Sequence, residues 1–495
     1  MKKLWSREES KERFPLPISP LGWSLLLPPT QSTLNALSDK LYLKPLSPSE
    51  MLRNIDHFVY ARKGFFKSGI LRKIRFSAWL FLLIKLSWLF LRSGLQKNKF
   101  LTRIMNQLFI PQAQQLIQDW QQLERTLIPR LKNISAGDPN IPVQYDEFII
   151  LKNEMEKNSC DFFYHDFSVY FLKNIFSHYL QSAFKNIGYN EILSRELLTS
   201  LSQGLPNNFS VRMALDRTKM SEEEWLKNYG YLTDNWDVFS PTLAETEIIP
   251  PQFSEQHLIK KHKEQERKRL EKEKQLPASL AIFVSTFQKL LIIDEDMRAY
   301  SSLQYPEIRK LFHRVSLAAE WDFTNVFFLE INELEQALKT TNFPIYKDRA
   351  LKRRNKFQLA LQKDAPLDCL EEGGSFHALT YPSPDSSAGI MISPGQVTGP
   401  ALVVHQFADL KKFSNKYILV LRSPNPTYAS YYAQCAGIIS ETGGVLSHGA
   451  LVAREFQIPM ISEVSQALEL IKTDDLIQLD ASRGSFKIIR KGLSD

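Results

Sequence analysis

The sequence predicts an α+β fold, with a large, mostly helical N-terminal region followed by a compact domain of short strands and helices. Three observations carry this expectation. Residues 61–240 place apolar side chains at helical spacing over long runs. The segment 364–388 gathers three prolines with several glycines and serines and is expected to be a linker. Beyond it the rhythm changes to short β-rich runs separated by helical patterns. The expected division is therefore 1–363, 364–388 and 389–491.

With 495 residues, the chain is too long for one ordinary core. Hydrophobic residues at 43% and charged residues at 23% are ordinary for a globular protein. A net charge of +8 permits anionic substrates but gives no argument for nucleic acid. Cys160, Cys369 and Cys435 match no metal or redox spacing and suit a reducing compartment. The N-terminus (MKKLWSREESKERFPLP) lacks the apolar core of a secretory signal, so the expected location is cytoplasmic.

Residues 1–60 are proline-rich and read as irregular, with 13–26 as an extended segment closed by turns. The apolar run 76–91 has 16 residues around Lys85, fewer than the roughly 20 that span a bilayer. It reads as a buried or surface-seeking helix, with membrane contact as the competing reading. Residues 101–128 form an amphipathic pattern broken by Pro111. Residues 163–184 form a second, whose aromatics suit a helical core. The alternating charges of 255–275 predict a solvated helix laced with i,i+4 pairs. Residues 324–334 suggest a short strand or turn before another helix. In the last region, strands are expected at 401–405, 417–422, 436–440, 458–462, 476–480 and 485–490. Helical patterns fall at 406–413, 427–435 and 448–456.

The run with chemical content is TGGVLSHGALVAREFQIP, residues 442–459. Gly443 and Gly444 follow a predicted strand and allow backbone conformations that expose consecutive N–H groups to an anion. A helix beginning near His448, with Ser447 as N-cap, adds the positive end of its dipole. Imidazole is largely neutral and nucleophilic near pH 7, which suits it to accept and release a phosphoryl group. Spacing alone leaves open a plain turn before a helix, with His448 capping it or lying exposed. Arg454 and Glu455 lie about two turns further on, out of direct reach of His448. They are expected to hold the domain together or to meet a docked partner. His57, His165, His178, His257 and His262 have no comparable setting and are assigned no role.

The same run resembles the swivelling phosphohistidine domain of the phosphoenolpyruvate synthase, pyruvate phosphate dikinase and rifampicin phosphotransferase group of PEP-utilising enzymes. Gly443, Gly444, Ser447, His448, Ala453, Arg454, Glu455, Ile458 and Pro459 match its pattern. Residues 393–404 resemble its opening strand, with Ser393-Pro394-Gly395 and Gly399 in place. Residues 476–488 resemble its last hairpin. The resemblance implies a β/β/α swivelling domain in which His448 is phosphorylated, supported by Gly443, Gly444, Ser447 and Arg454. Further upstream, 13–26, 225–245 and 324–334 resemble parts of the antibiotic phosphotransferases. Tyr229-Gly230-Tyr231-Leu232 stands where the family reads Tyr-Gly-His-Arg, so inherited substrate contacts are in doubt. Tyr231 and Asp237 are pocket candidates there, with packing as the plainer role.

The resemblance further implies a phosphotransferase that uses Mg²⁺ and ATP. No glycine-rich phosphate loop occurs before residue 365. A separate ATP-grasp protein is therefore the expected partner, holding the nucleotide and Mg²⁺, and no metal is assigned to this chain. The expected acceptor is a small molecule, a hydrophobic hydroxyl compound or an organic acid, bound by the helical region. The alternatives are a non-catalytic phosphocarrier or regulator, or a ligand-binding module of the same descent.

Overall fold

The computed structural model describes residues 3–6, 16–40, 47–62, 97–235, 237–252, 255–361, 368–372, 375–379, 388–445 and 447–492. The chain forms a helical body, a small sheet and a larger one, and the α+β expectation holds. The apolar run 76–91 lies outside the described residues. Among the described residues, no single helix is long and apolar enough to cross a membrane.

The small antiparallel sheet joins the two ends of the N-terminal region. Its strands are β1 (Lys3–Ser6), β2 (Leu52–Ile55), β3 (Phe58–Arg62), β4 (Asp368–Glu372) and β5 (Ser375–Leu379), in the order β2-β3-β1-β4-β5. Trp5, Phe58, Tyr60 and Cys369 are buried together against Ala360. Two expectations change here. Within the stretch expected to be irregular, α1 (Pro20–Lys40) is a helix, and it includes the end of the segment expected to be extended. Pro20 opens it, where a missing N–H costs nothing. Pro28 and Pro29 stand inside it, and burial of Leu21 and Leu34 outweighs the local rule against them. The segment 364–388 is also not a linker throughout, because β4 and β5 pair across Glu372 and Ser375. Gly373 and Gly374 fall between those strands in the sequence, which is a hairpin signal.

The helical body begins with α2 (Lys97–Ile104), a π-helical turn (Met105–Phe109) and α3 (Ile110–Asn133). Pro111 sits in the first turn of α3, so the expected break is that π turn. Helix α4 (Tyr145–Asn186) runs for 42 residues. Its Phe176 and Phe184 fill a core with Phe162, Trp120, Phe283 and Phe287, as expected of aromatics within 163–184. Next come α5 (Glu191–Leu201), α6 (Phe209–Lys219), α7 (Glu222–Tyr229), α8 (Glu255–Lys274), α9 (Ala281–Tyr300) and α10 (Tyr305–Ala319). Helix α8 carries the expected i,i+4 pairs, Lys268–Glu264 at 2.7 Å and Arg267–Glu271 at 2.6 Å, yet buries Leu258, Gln265 and Arg269 along one edge. Residues 323–326 are a helical turn before α11 (Ile331–Thr340), with no strand. Phe327, Phe328 and Leu329 are buried among helices, and packing overrides their β preference. Helix α12 (Phe343–Leu361) completes the body.

The C-terminal sheet has seven strands: β6 (Ile390–Ser393), β7 (Gln396–Val404), β8 (Ile418–Leu421), β9 (Gly437–Ser440), β10 (Met460–Ser462), β11 (Leu476–Asp480) and β12 (Ser485–Arg490). Their order is β12-β11-β7-β8-β9-β10-β6. Strands β7 to β10 run parallel, while β6 and the β11–β12 hairpin are antiparallel additions. All six expected strands are present. Side chains alternate in the middle of the sheet. Ala401, Val403, Ile418, Val420 and Ile439 face one core, and Leu402, Val404, Leu419, Leu421 and Ile438 face the other. The second face packs on α13 (His448–Glu455) and on Phe209, Met213, Trp225 and Tyr229 of the helical body, so the two regions share a core.

Candidate functional site

Strand β9 ends at Ser440, and α13 begins at His448, with Glu441–Val445 and Ser447 described between them. This loop lies beyond the carboxyl ends of parallel strands, where open α/β sheets bind ligands. Gly443 has φ +120°, a conformation that disfavours any other residue, and a Cβ there would press on Pro424 and Ser447. Its N–H donates to Glu463 Oε1 at 3.1 Å, and its carbonyl accepts from the Ser462 hydroxyl. Thr442 Oγ1 donates to the Arg422 carbonyl at 3.0 Å, fixing the loop to the end of β8. Gly444 is exposed, and a Cβ there would meet nothing within 4 Å. Ser447 is the N-cap of α13, its hydroxyl accepting from the Ala450 N–H at 3.3 Å. His448 is thus the first residue of a capped helix, at the positive end of its dipole.

Arg454 lies behind this loop. Its guanidinium is 4% exposed and donates to the Val445 carbonyl at 2.6 Å and the Ile392 carbonyl at 3.4 Å. Burial pulls it down to about 9. In this arrangement it braces the loop from inside rather than presenting charge to an anion at the surface. Gly449, which the sequence reading passed over, has a role of its own. A Cβ there would lie 2.0 Å from Pro424 Cβ, so glycine lets the start of α13 close on the β8 loop. The signal for it was present in Ser-His-Gly, where a glycine in the first turn of a helix asks for a packing reason.

Two further side chains at the strand ends were also missed. His405 follows β7 and Arg422 follows β8, and with Asp234, Ser423 and Tyr428 they line a small cavity next to the loop. Burial pushes His405 down and raises Asp234 to about 6. Arg422 also faces Glu441 at 3.8 Å. Their positions directly after apolar strand runs are the only sequence signal they carry.

Tyr231 and Asp237 are not part of the loop. Tyr231 packs between the shared core and the core of the helical body, and burial drives its phenol far above the ordinary range. Asp237 is buried and accepts from the Ser19 N–H at 2.5 Å, the Ser19 hydroxyl at 2.7 Å and the Phe239 N–H at 3.1 Å. It anchors the start of α1, where a Cβ on Gly22 would strike it.

The segment between these two residues links the regions. Thr427 Oγ1 donates to the Thr233 carbonyl at 2.7 Å, and Asn425 Nδ2 donates to the Asp234 carbonyl at 3.1 Å. A few residues on, Val238 lines a cavity of about 130 Å³ among α1, α4, α9 and α10. Its walls are largely apolar, with Leu25, Met155, Phe162 and Phe312 beside Lys152, Ser159 and Gln304. Gln304 Nε2 donates to Ser159 Oγ at 3.3 Å, while its buried Oε1 has no partner among the described residues. Cavities of about this size hold benzene-sized ligands. Among the described residues, no group of three His, Cys, Asp or Glu side chains is arranged to hold a metal.

The site is thus a capped helix opening on His448, behind a glycine turn at the end of a parallel sheet. Comparison with known proteins gives it a family. Residues 413–484 match the model described as PEP-utilising enzyme, mobile domain, and the chain carries that domain. It is similar to an uncharacterized phosphotransferase YvkC of Bacillus subtilis, 29% identical over 34% of this chain and 22% of that protein. A rifampicin phosphotransferase from Streptomyces is 27% identical over 34% of this chain and 19% of its own length. A probable phosphoenolpyruvate synthase of Pyrococcus abyssi is 31% identical over 21% of this chain and 12% of its own. The aligned part thus spans about a fifth or less of these relatives.

Proposed function

We propose that this chain is a phosphotransferase subunit in which His448 is transiently phosphorylated and passes the group to a small acceptor in the helical body. The observation that carries the reading is the junction at 233–238. One end of this segment is bonded to the domain bearing His448, and the other lines the apolar cavity. The acceptor is then a small, mostly apolar molecule with a hydroxyl or carboxylate, with Gln304 and Lys152 as polar contacts. In the first step ATP and water give AMP, phosphate and phosphohistidine, on a separate ATP-grasp protein that holds the nucleotide and Mg²⁺. In the second, the acceptor oxygen bonds to phosphorus as the P–N bond breaks; a hydroxyl acceptor passes its proton to the imidazole, and with a carboxylate acceptor the imidazole takes one from solvent. Positioning and charge stabilisation supply most of the catalysis in such transfers. A reducing, cytoplasmic setting suits the three thiols.

The test separates the two steps. With β-labelled Mg-ATP and an ATP-grasp partner, Ser159→Phe fills the cavity. It should leave loading of His448 unchanged and abolish chase of label into acceptors that the native chain uses. Label that loads but reaches no hydroxyl or carboxylate acceptor even in the native chain would make the chain a carrier, and the acceptor half of the proposal would fall.

A further inference from the structure

Helix α13 meets the helical body through its far end. Glu455, its last residue, is 6% exposed and lies seven residues past His448. Its Oε2 accepts from the Gly204 N–H at 2.9 Å, and its Oε1 bonds to Nδ1 of His262 on α8. Around this pair, Lys261 Nζ donates to the Phe456 carbonyl at 2.6 Å and Gln265 Nε2 to the Arg454 carbonyl at 3.1 Å. Arg269 Nε closes the ring on the Gly204 carbonyl at 3.3 Å. Gly204 has φ +58°, and a Cβ there would lie 2.1 Å from the Glu266 backbone nitrogen, so the 202–204 turn is fitted tightly to α8.

The arrangement has a direction. The N-terminal end of α13, where His448 stands, is held by the mobile domain's own loop through Ser447, Gly443 and Arg454. Its C-terminal end is held by side chains of the other region. Two of them, Lys261 and Gln265, donate to carbonyls in and just after the last turn, where the negative end of the dipole favours such partners. A packing contact between two domains would need no such sorting. This one grips the helix at the end opposite the group it carries.

We propose that Glu455 and His262 are positioning residues, a clasp that holds α13 in the acceptor-facing arrangement and must open before His448 can be reloaded elsewhere. The proposal rests on the phosphotransfer reading above for its purpose, but not for its test. The clasp is sensitive to pH. Glu455 on α13 faces His262 directly, while Glu266, Arg269 and Lys261 surround it on α8, and Arg454 lies behind Glu455. The bond to Glu455 holds the imidazole above its ordinary value. A histidine raised in the docked state stabilises docking fully below its undocked value. That contribution is lost as pH rises through the docked value. The clasp therefore loosens toward alkaline pH.

Amide hydrogen exchange on the full chain, without nucleotide or acceptor, reads the clasp directly, because the Gly204 N–H is one of its bonds. After correction for intrinsic rates, Glu455→Ala should speed exchange at Gly204 and along 255–274 by roughly tenfold or more, as expected for loss of a charge-assisted bond. Strands 418–421 and 437–440 should keep their protection. His262→Ala, on the other region, should reproduce the pattern, and Glu455→Gln should restore part of it. Native protection at Gly204 should fall as pH rises, and His262→Gln should flatten that profile. Unchanged exchange in both alanine variants, or loss of protection in the strands as well, would overturn the clasp. A pH profile that His262→Gln does not alter would overturn its titration. If the clasp behaves as stated and His448 never takes label, the phosphotransfer reading fails alone.

Discussion

In the C-terminal domain close backbone packing positions the loop before His448, whereas the deep core of the helical body is anchored by buried charges. Glycines at 399, 443 and 449 stand where a Cβ would meet Lys416, Pro424 or Ser447 at 2.0 to 3.1 Å, so the sheet and its loop close only without one. The body has a different anchor. Lys173 and Arg298 meet Asp294 at 2.6 and 3.3 Å, all three nearly inaccessible, among buried aromatics of α3, α4 and α9. The difference teaches where each region breaks. The loop before His448 fails when atoms are added, the deep core of the body when a buried charge loses its partner.

The largest effect should come from the body. Asp294→Ala strands Lys173 in a core and should cost about 3–5 kcal/mol. Urea denaturation followed by exchange should show the loss in α4 and α9, with the C-terminal strands protected to higher denaturant. Equal loss in both regions would dissolve the distinction. The next effect belongs to the mobile domain. Gly449→Ala adds one carbon 2.0 Å from Pro424 and should cost about 1–3 kcal/mol, confined to α13 and the β8 loop. Smallest is Ser447→Ala, which removes the cap of α13 for about 1 kcal/mol. It sharpens the comparison by weakening the loop without touching the shared core.

Legibility in the sequence follows the same line. The C-terminal strands could be read because apolar runs of four to six residues lie between turn signals, and the loop because two glycines precede a capping serine and a histidine. The long helices of the body could be read from their period, down to the break at Pro111. The start of the chain could not. Pro28 and Pro29 argue against a helix locally, and only packing against α4 and α11 makes α1 possible. Asp237 was a pocket candidate with packing as the plainer role, and nothing in its neighbourhood reveals its partner Ser19, which lies 218 positions away. The pairing of His262 with Glu455 spans 193 positions, and a histidine in a charged helix gives no hint of it.

The central claim is that His448 carries the phosphoryl group, and the most direct measurement is acid-labile phosphate mapped on the intact chain after incubation with β-labelled Mg-ATP and an ATP-grasp partner. Label on the peptide containing His448, absent without the partner and absent in His448→Ala, is the predicted result. Label that persists in His448→Ala, or a native chain that takes none from any ATP-grasp partner or from phosphoenolpyruvate, would contradict it.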